Sequence, residues 1–170
     1  MGNAALKPWL VLLVAASVTA AFAPPISAES NNWSLQDTQG ETFQLAAELM
    51  DRPVLLLFWA TWCSPCKKEL QDQRELLDSY VERGVAVLLI SEDTQRTQAK
   101  VKPYVESRGY RWRTLLDPQG EVLKRYGGTS LPYAVLLDRQ GQPLQKTRGA
   151  LRNTATLTAQ IDKLLKADGE

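Results

Sequence analysis

The sequence predicts an α/β domain, a central mixed β-sheet with helices on both faces. Three patterns carry that prediction. Two wholly apolar runs, residues 54–59 and 85–90, flank a helical pattern, as in a strand–helix–strand unit whose strands are covered on both sides. Two stretches alternate apolar and polar residues around Asp-x-x-Gly turns at residues 37–40 and 138–141. A final amphipathic segment closes the chain.

Trp33-Ser34-Leu35-Gln36 and Thr42-Phe43-Gln44-Leu45 form an N-terminal hairpin, with Gly40 at the positive-φ position of its turn. Residues 46–50 make a short helical turn, and Pro53 leads into the strand 54–59. A single helix is expected over residues 65–83, because Cys66, Leu70, Gln73, Leu77 and Tyr80 or Val81 recur at three-to-four spacing; Gly84 ends it. After the strand 85–90, residues 94–109 read as a helix with Val101 and Val105 on its core side, weakened in its first half by Pro103. A short strand at 112–116, a turn at 117–120 and a short helix at 121–126 follow. Strands at 133–137 and 144–147 make a second hairpin. The last helix, residues 154–167, places Leu157, Ile161, Leu164 and Leu165 on one face.

The leading segment stands outside this fold. Lys7 precedes an apolar or small-residue run over 9–23, and no acidic residue occurs before Glu29. This is the order of a secretory signal, with cleavage expected after Ala28. Retention as a membrane anchor is the alternative, although the strongly apolar part is shorter than the roughly 20 residues that usually span a bilayer. Residues 29–170 then form one domain. The chain carries 20 Lys plus Arg and 19 Asp plus Glu, so loss of Lys7 leaves a charge near zero. Nothing in that balance points to nucleic acid or an anionic membrane surface. Histidine is absent, which removes the commonest metal ligand and general base. Two thiols alone do not close a zinc site, so neither a metal nor a cofactor is expected.

The two cysteines, Cys63 and Cys66, are the only ones in the chain, and they sit where the apolar strand turns into a helix. A helix N-terminus favours a thiolate. A purely structural disulfide is the competing reading. Closing so short a loop contributes only about 2 kcal/mol by chain entropy, against about 5 for a hundred-residue loop. An exported domain held together by disulfides would carry several pairs, so the lone close pair reads as redox-active.

Phe58-Trp59-Ala60-Thr61-Trp62-Cys63-Ser64-Pro65-Cys66, with Leu131-Pro132 ahead of a strand and an Asp-x-x-Gly hairpin, resembles the thioredoxin fold over about residues 33–167. The leader, the N-terminal hairpin and the inserted segment between the strand at 85–90 and Pro132 make it similar to the exported TlpA/ResA-like thiol-disulfide oxidoreductases. The resemblance implies Cys63 as nucleophile and Cys66 as the resolving thiol. It implies a Glu at position 69 able to shuttle the Cys66 proton; a solvated helix carboxylate is the alternative. Thioredoxins themselves carry a buried Asp where Leu57 stands here. Pro132 matches the fold's cis-proline, which would set the Leu131 backbone beside Cys63 for strand-like pairing with a partner. Trp62, Leu131 and Tyr133 are expected to supply an apolar rim for partners, and Trp59 to lie in the core. Glu92 is expected either on the same rim as Cys63 or as a solvent-facing loop charge.

With no His between the cysteines, the pair is expected towards the reducing end of a range of about 150 mV, worth roughly 7 kcal/mol. The expected function is reduction of disulfides in other exported proteins. The resemblance implies a membrane thiol carrier as electron donor, and apocytochrome c or proteins of oxidase copper-centre assembly as acceptors. A disulfide donor or isomerase, and a non-catalytic binding module, are the alternatives.

Overall fold

The computed structural model describes Met1, residues 32–49 and residues 52–166. The expected leader at 1–28 lies outside the described residues apart from Met1, as do Met50 and Ala167 at the ends of two expected helices. The described chain runs β1 (Ser34–Asp37), β2 (Thr42–Gln44), α1 (Leu45–Leu49), β3 (Val54–Trp59), α2 (Ser64–Asp72), α3 (Arg74–Glu82), β4 (Ala86–Ser91), α4 (Val101–Arg108), β5 (Arg113–Leu116), α5 (Glu121–Arg125), β6 (Tyr133–Leu137), β7 (Pro143–Arg148) and α6 (Thr154–Lys166).

The strands form one seven-stranded sheet in the order β2-β1-β5-β4-β3-β6-β7. β3, β4 and β5 are parallel, and the outer strands pair antiparallel. β3 and β4 are wholly buried because both sheet faces are covered. Alternate side chains divide between two cores. Leu55, Leu57, Trp59, Val87 and Leu89 join Cys66, Leu70, Leu77, Val101, Leu157 and Ile161 on one side. Val54, Leu56, Phe58, Leu88 and Ile90 join Trp33, Phe43, Leu45, Val122 and Tyr126 on the other. The segment between β4 and Pro132 belongs to the sheet. Its strand β5 pairs with β4 on one side and with the N-terminal hairpin on the other.

Two helices differ from the sequence expectation. The segment 65–83 is two helices, starting at Ser64 and turning at Gln73, whose φ of −97° and ψ of 7° open the last turn of α2. Backbone hydrogen bonds cross the junction, from Gln73 N–H to Glu69 O and from Leu77 N–H to Gln73 O. The Gln73 side chain donates to Leu151 O at 3.2 Å. Periodicity gives no warning of the bend, since Cys66, Leu70, Leu77 and Tyr80 stay buried on both sides of it. In the second case, regular helix begins only at Val101, after a single 3-10 turn over Gln98–Lys100. Pro103 therefore sits in the first turn of α4, where its missing N–H forfeits no hydrogen bond.

Candidate active site at the N-terminus of helix α2

β3 ends at Trp59, and the chain turns through residues 60–63 into α2. The Cys63 N–H closes that turn on Ala60 O at 3.0 Å. Cys63 is the N-cap of α2, with extended backbone, and its Sγ accepts the Cys66 N–H at 3.3 Å. Sulfur thus occupies the place where Ser, Thr or Asp oxygen usually meets the unpaired N–H groups of a first turn. Pro65 fits the second helical position, where no donor is needed. Cys63 and Cys66 are joined, with S–S 2.01 Å and Cα–Cα 5.3 Å. Access to the two sulfurs is unequal. Cys66 is fully buried, whereas Cys63 keeps 6% of its surface open beside Trp62, which is 61% exposed.

Carboxyl groups surround this end of the sheet. Glu69, one turn beyond Cys66, is buried, and its Oε1 accepts the Leu151 N–H. Burial pushes the Glu69 carboxyl above its usual range, and the Leu151 N–H partly offsets this. Gln73 and Glu69 together hold the backbone of Leu151. The Gly149 N–H donates to Pro132 O at 2.9 Å, so the loop after β7 joins α2 to the start of β6. Asp93 is fully buried and receives both the N–H and the hydroxyl of Thr61, at 2.7 and 2.6 Å.

Glu92 turns elsewhere. Its N–H bonds to Trp59 O at 2.8 Å, while its half-buried carboxyl meets Asp117. Asp117 in turn caps α5 by accepting the N–H groups of Glu121, Val122 and Leu123. Burial first, and then the Asp117 carboxylate, push the Glu92 carboxyl up to about 9, with Lys124 opposing.

The structure gathers Cys63, Cys66, Leu131 and Leu151 at one core, with Glu69 on the same helix as Cys66. The Leu131–Pro132 bond is cis. Trp59 is in the core as expected, against Tyr104 at 5.3 Å between ring centroids. Glu69 is not a solvated carboxylate. Tyr133 does not reach the rim. Strand alternation points it to the opposite core, where it packs on Phe58 and donates its hydroxyl to Tyr126 O at 2.9 Å. Glu92 is neither a free loop charge nor turned towards Cys63; its partner is Asp117. Gly128 is a point of close approach, because a Cβ there would lie 2.1 Å from Leu123 Cδ1. Asp93 was missed by the sequence reading. Continuing the alternation Val87, Leu89, Ser91 by one further step assigns position 93 to the face that bears the dithiol, and position 92 to the other.

The AhpC/TSA family matches residues 26–147. The chain belongs to that family. It is 33% identical over 124 residues to the thiol-disulfide oxidoreductase ResA of Bacillus thuringiensis subsp. konkukian, covering 73% of this chain and 70% of that protein. A solved structure described as a putative thiol:disulfide interchange protein DsbE from Chlorobium tepidum superposes with a TM-score of 0.69 at 23% identity. That match covers 80% of this chain and 94% of the DsbE chain, a likeness of fold. The pneumococcal exposed lipoprotein thioredoxin of Streptococcus pneumoniae gives a TM-score of 0.64 at 27% identity, over 78% of this chain and 99% of that one. The fold of this AhpC/TSA family member is thioredoxin-like, and the protein is a thiol-disulfide oxidoreductase of ResA type.

The Glu92–Asp117 pair makes stability depend on pH. Between the ordinary value of 4.5 and about 9, the unfolded chain loses the Glu92 proton while the folded chain keeps it. Stability attributable to this group therefore falls as pH rises through that window. Glu92→Gln, which imitates the protonated carboxyl, is expected to stabilise the protein by about 1–3 kcal/mol near pH 8 and by almost nothing near pH 4. Urea unfolding at the two pH values checks this. An equal effect at both would assign the pair no such role.

Proposed function

We propose that the chain is an exported reductase of protein disulfides, with Cys63 as attacking sulfur and Cys66 as resolving sulfur. The observation that carries this reading is the unequal burial of the pair. Cys63 stands at the helix N-cap with part of its surface open, and Cys66 is sealed one turn inside. In the reduced protein the Cys63 thiolate attacks one sulfur of a partner cystine. A mixed disulfide forms, the partner's own disulfide breaks, and the released thiolate takes a proton. Cys66 then gives its proton to Glu69 and attacks Cys63 Sγ. The mixed disulfide breaks, the second partner thiolate leaves and is protonated, and the Cys63–Cys66 bond results. A dithiol donor returns the pair to the reduced state by the same exchange in the other direction.

Glu69 suits the proton transfer because burial raises its proton affinity towards that of a working acid–base group. Trp62 and Leu131 form the seat for the partner, whose extended segment pairs with the backbone ahead of Pro132. Tyr133 is not part of that seat. Residues 1–28 serve as the export leader, with membrane attachment if they are retained, and residues 29–170 as the working domain. The exposed lipoprotein among the solved relatives supports a place outside the cytoplasm. The electron donor is a membrane thiol carrier, and the acceptors are exported proteins of the apocytochrome c or copper-centre assembly kind.

Cys66→Ser lacks the resolving sulfur and is expected to accumulate exported proteins bound through Cys63, released by dithiothreitol. The double variant lacking both sulfurs should capture none. Equal capture by the two would remove the assignment, and a potential near the strong oxidants at about −120 mV would make the protein a disulfide donor. Glu69→Gln is expected to keep the fold, slow disulfide reduction at neutral pH by about tenfold or more, and flatten its pH profile. Stopped-flow rates matching the parent protein across the pH range would remove Glu69 from the reaction.

A further inference from the structure

We propose that Asp93 is a positioning residue for the dithiol, holding the turn that carries Cys63 through a two-point grip on Thr61. The proposal rests on the reading of Cys63 as the attacking sulfur and adds a residue that acts on it from behind. Asp93 lies beyond the end of β4 and is fully buried. One carboxylate oxygen accepts the Thr61 N–H at 2.7 Å and the Ser91 hydroxyl at 3.0 Å. The other accepts the Thr61 hydroxyl at 2.6 Å. The Asp93 N–H returns to Ser91 Oγ at 3.2 Å, which fixes the carboxylate relative to the strand.

A single hydrogen bond to Thr61 would satisfy one donor. Two, to the backbone and to the side chain of the same residue, fix its orientation. The rest of the turn has little else to hold it from that side. Trp62, between Thr61 and Cys63, is largely in solvent. Glu92 N–H pins the strand end at Trp59 O, and the Cys63 N–H closes on Ala60 O. Residues 91–93 therefore anchor one side of the turn and α2 the other.

Disulfide exchange needs this arrangement. Once the dithiol donor has reduced the Cys63–Cys66 bond and been oxidised in its place, the Cys63 sulfur stands as a thiolate until it attacks a partner cystine and displaces one of its two sulfurs. It keeps its helix N-terminal stabilisation only while the turn holds it at the N-cap, facing the Cys66 N–H. Position and charge predict opposite signs. The Asp93 carboxylate, being negative, by itself disfavours a nearby thiolate, so neutralising it would make Cys63 ionise more easily. Loosening the grip on Thr61 would make Cys63 ionise less easily.

The test uses the full chain, reduced, and follows the pH profile of Cys63 alkylation by iodoacetamide, with urea unfolding as a separate measure of fold. Thr61→Val removes the hydroxyl and leaves every charge in place. Asp93→Asn removes the charge and weakens the grip, and Thr61→Ser keeps both hydrogen bonds. The alkylation midpoint is expected to rise by about one pH unit in Thr61→Val and Asp93→Asn, with about tenfold slower reaction below it, and Thr61→Ser is expected to match the parent. A lowered midpoint in Asp93→Asn would overturn the proposal in favour of a direct charge effect. Unchanged profiles in Thr61→Val, with or without a loss in urea midpoint, would overturn it in favour of a purely structural role. Thr61→Val decides alone if Asp93→Asn does not fold. If Cys63 of the parent protein is itself inert, the reading of the site fails first, and that result is distinct from an active parent with unaltered variants.

Discussion

The site turns on one hydrogen bond, from the Cys66 N–H to the sulfur of Cys63. It requires a strand that ends at Trp59, a tight turn, and a helix that begins at Ser64, all in fixed relation. The two apolar faces of β3 supply that fixity. With Leu55 and Leu57 in one core and Leu56 and Phe58 in the other, the strand cannot slide or rotate without exposing one set. A reactive group is thereby mounted on the most constrained element of the sheet, at the carboxyl end of its strands, where open α/β sheets tend to place their sites.

Around that end, carboxyl groups serve as fasteners, each satisfied differently. Asp93 takes hydroxyls and a backbone N–H. Asp117 takes the N-terminus of α5. Glu69 takes the N–H of Leu151, and Glu92 lies against the carboxyl of Asp117. The differences decide what each can do. A carboxylate filled by donors is a fixed anchor, whereas one whose burial exceeds its compensation has a raised proton affinity. On that distinction Asp93 and Asp117 are anchors, and burial raises the proton affinity of Glu69, as the proposed transfer from Cys66 requires.

The order of elements was legible because most of it is written in short-range pattern. The continuous apolar runs, the two Asp-x-x-Gly turns and the cysteine spacing each depend on residues close in sequence, and they appear in the structure where the pattern places them. What escaped depends on contacts between distant segments. The bend at Gln73 accompanies a bond to Leu151, 78 positions away. The burial of Glu69 depends on the same loop, and its position three residues after Cys66 identified it only by resemblance. Tyr133 was misassigned because its neighbours in sequence, Leu131 and Pro132, lie near the site. The two-residue alternation of β6 carries its ring to the far core, where the hydroxyl finds Tyr126. Glu92 drew notice and Asp93 did not for a related reason, since one step along an extended chain exchanges faces.

The central claim is the division of labour between the two sulfurs. It is tested most directly by reducing the protein, exposing it briefly to a thiol alkylating agent at neutral pH, and locating the modification by peptide mass spectrometry. The account predicts rapid labelling at Cys63, with Cys66 protected until the protein is unfolded. Equal labelling of both sulfurs in the folded protein, or labelling of neither, would contradict it.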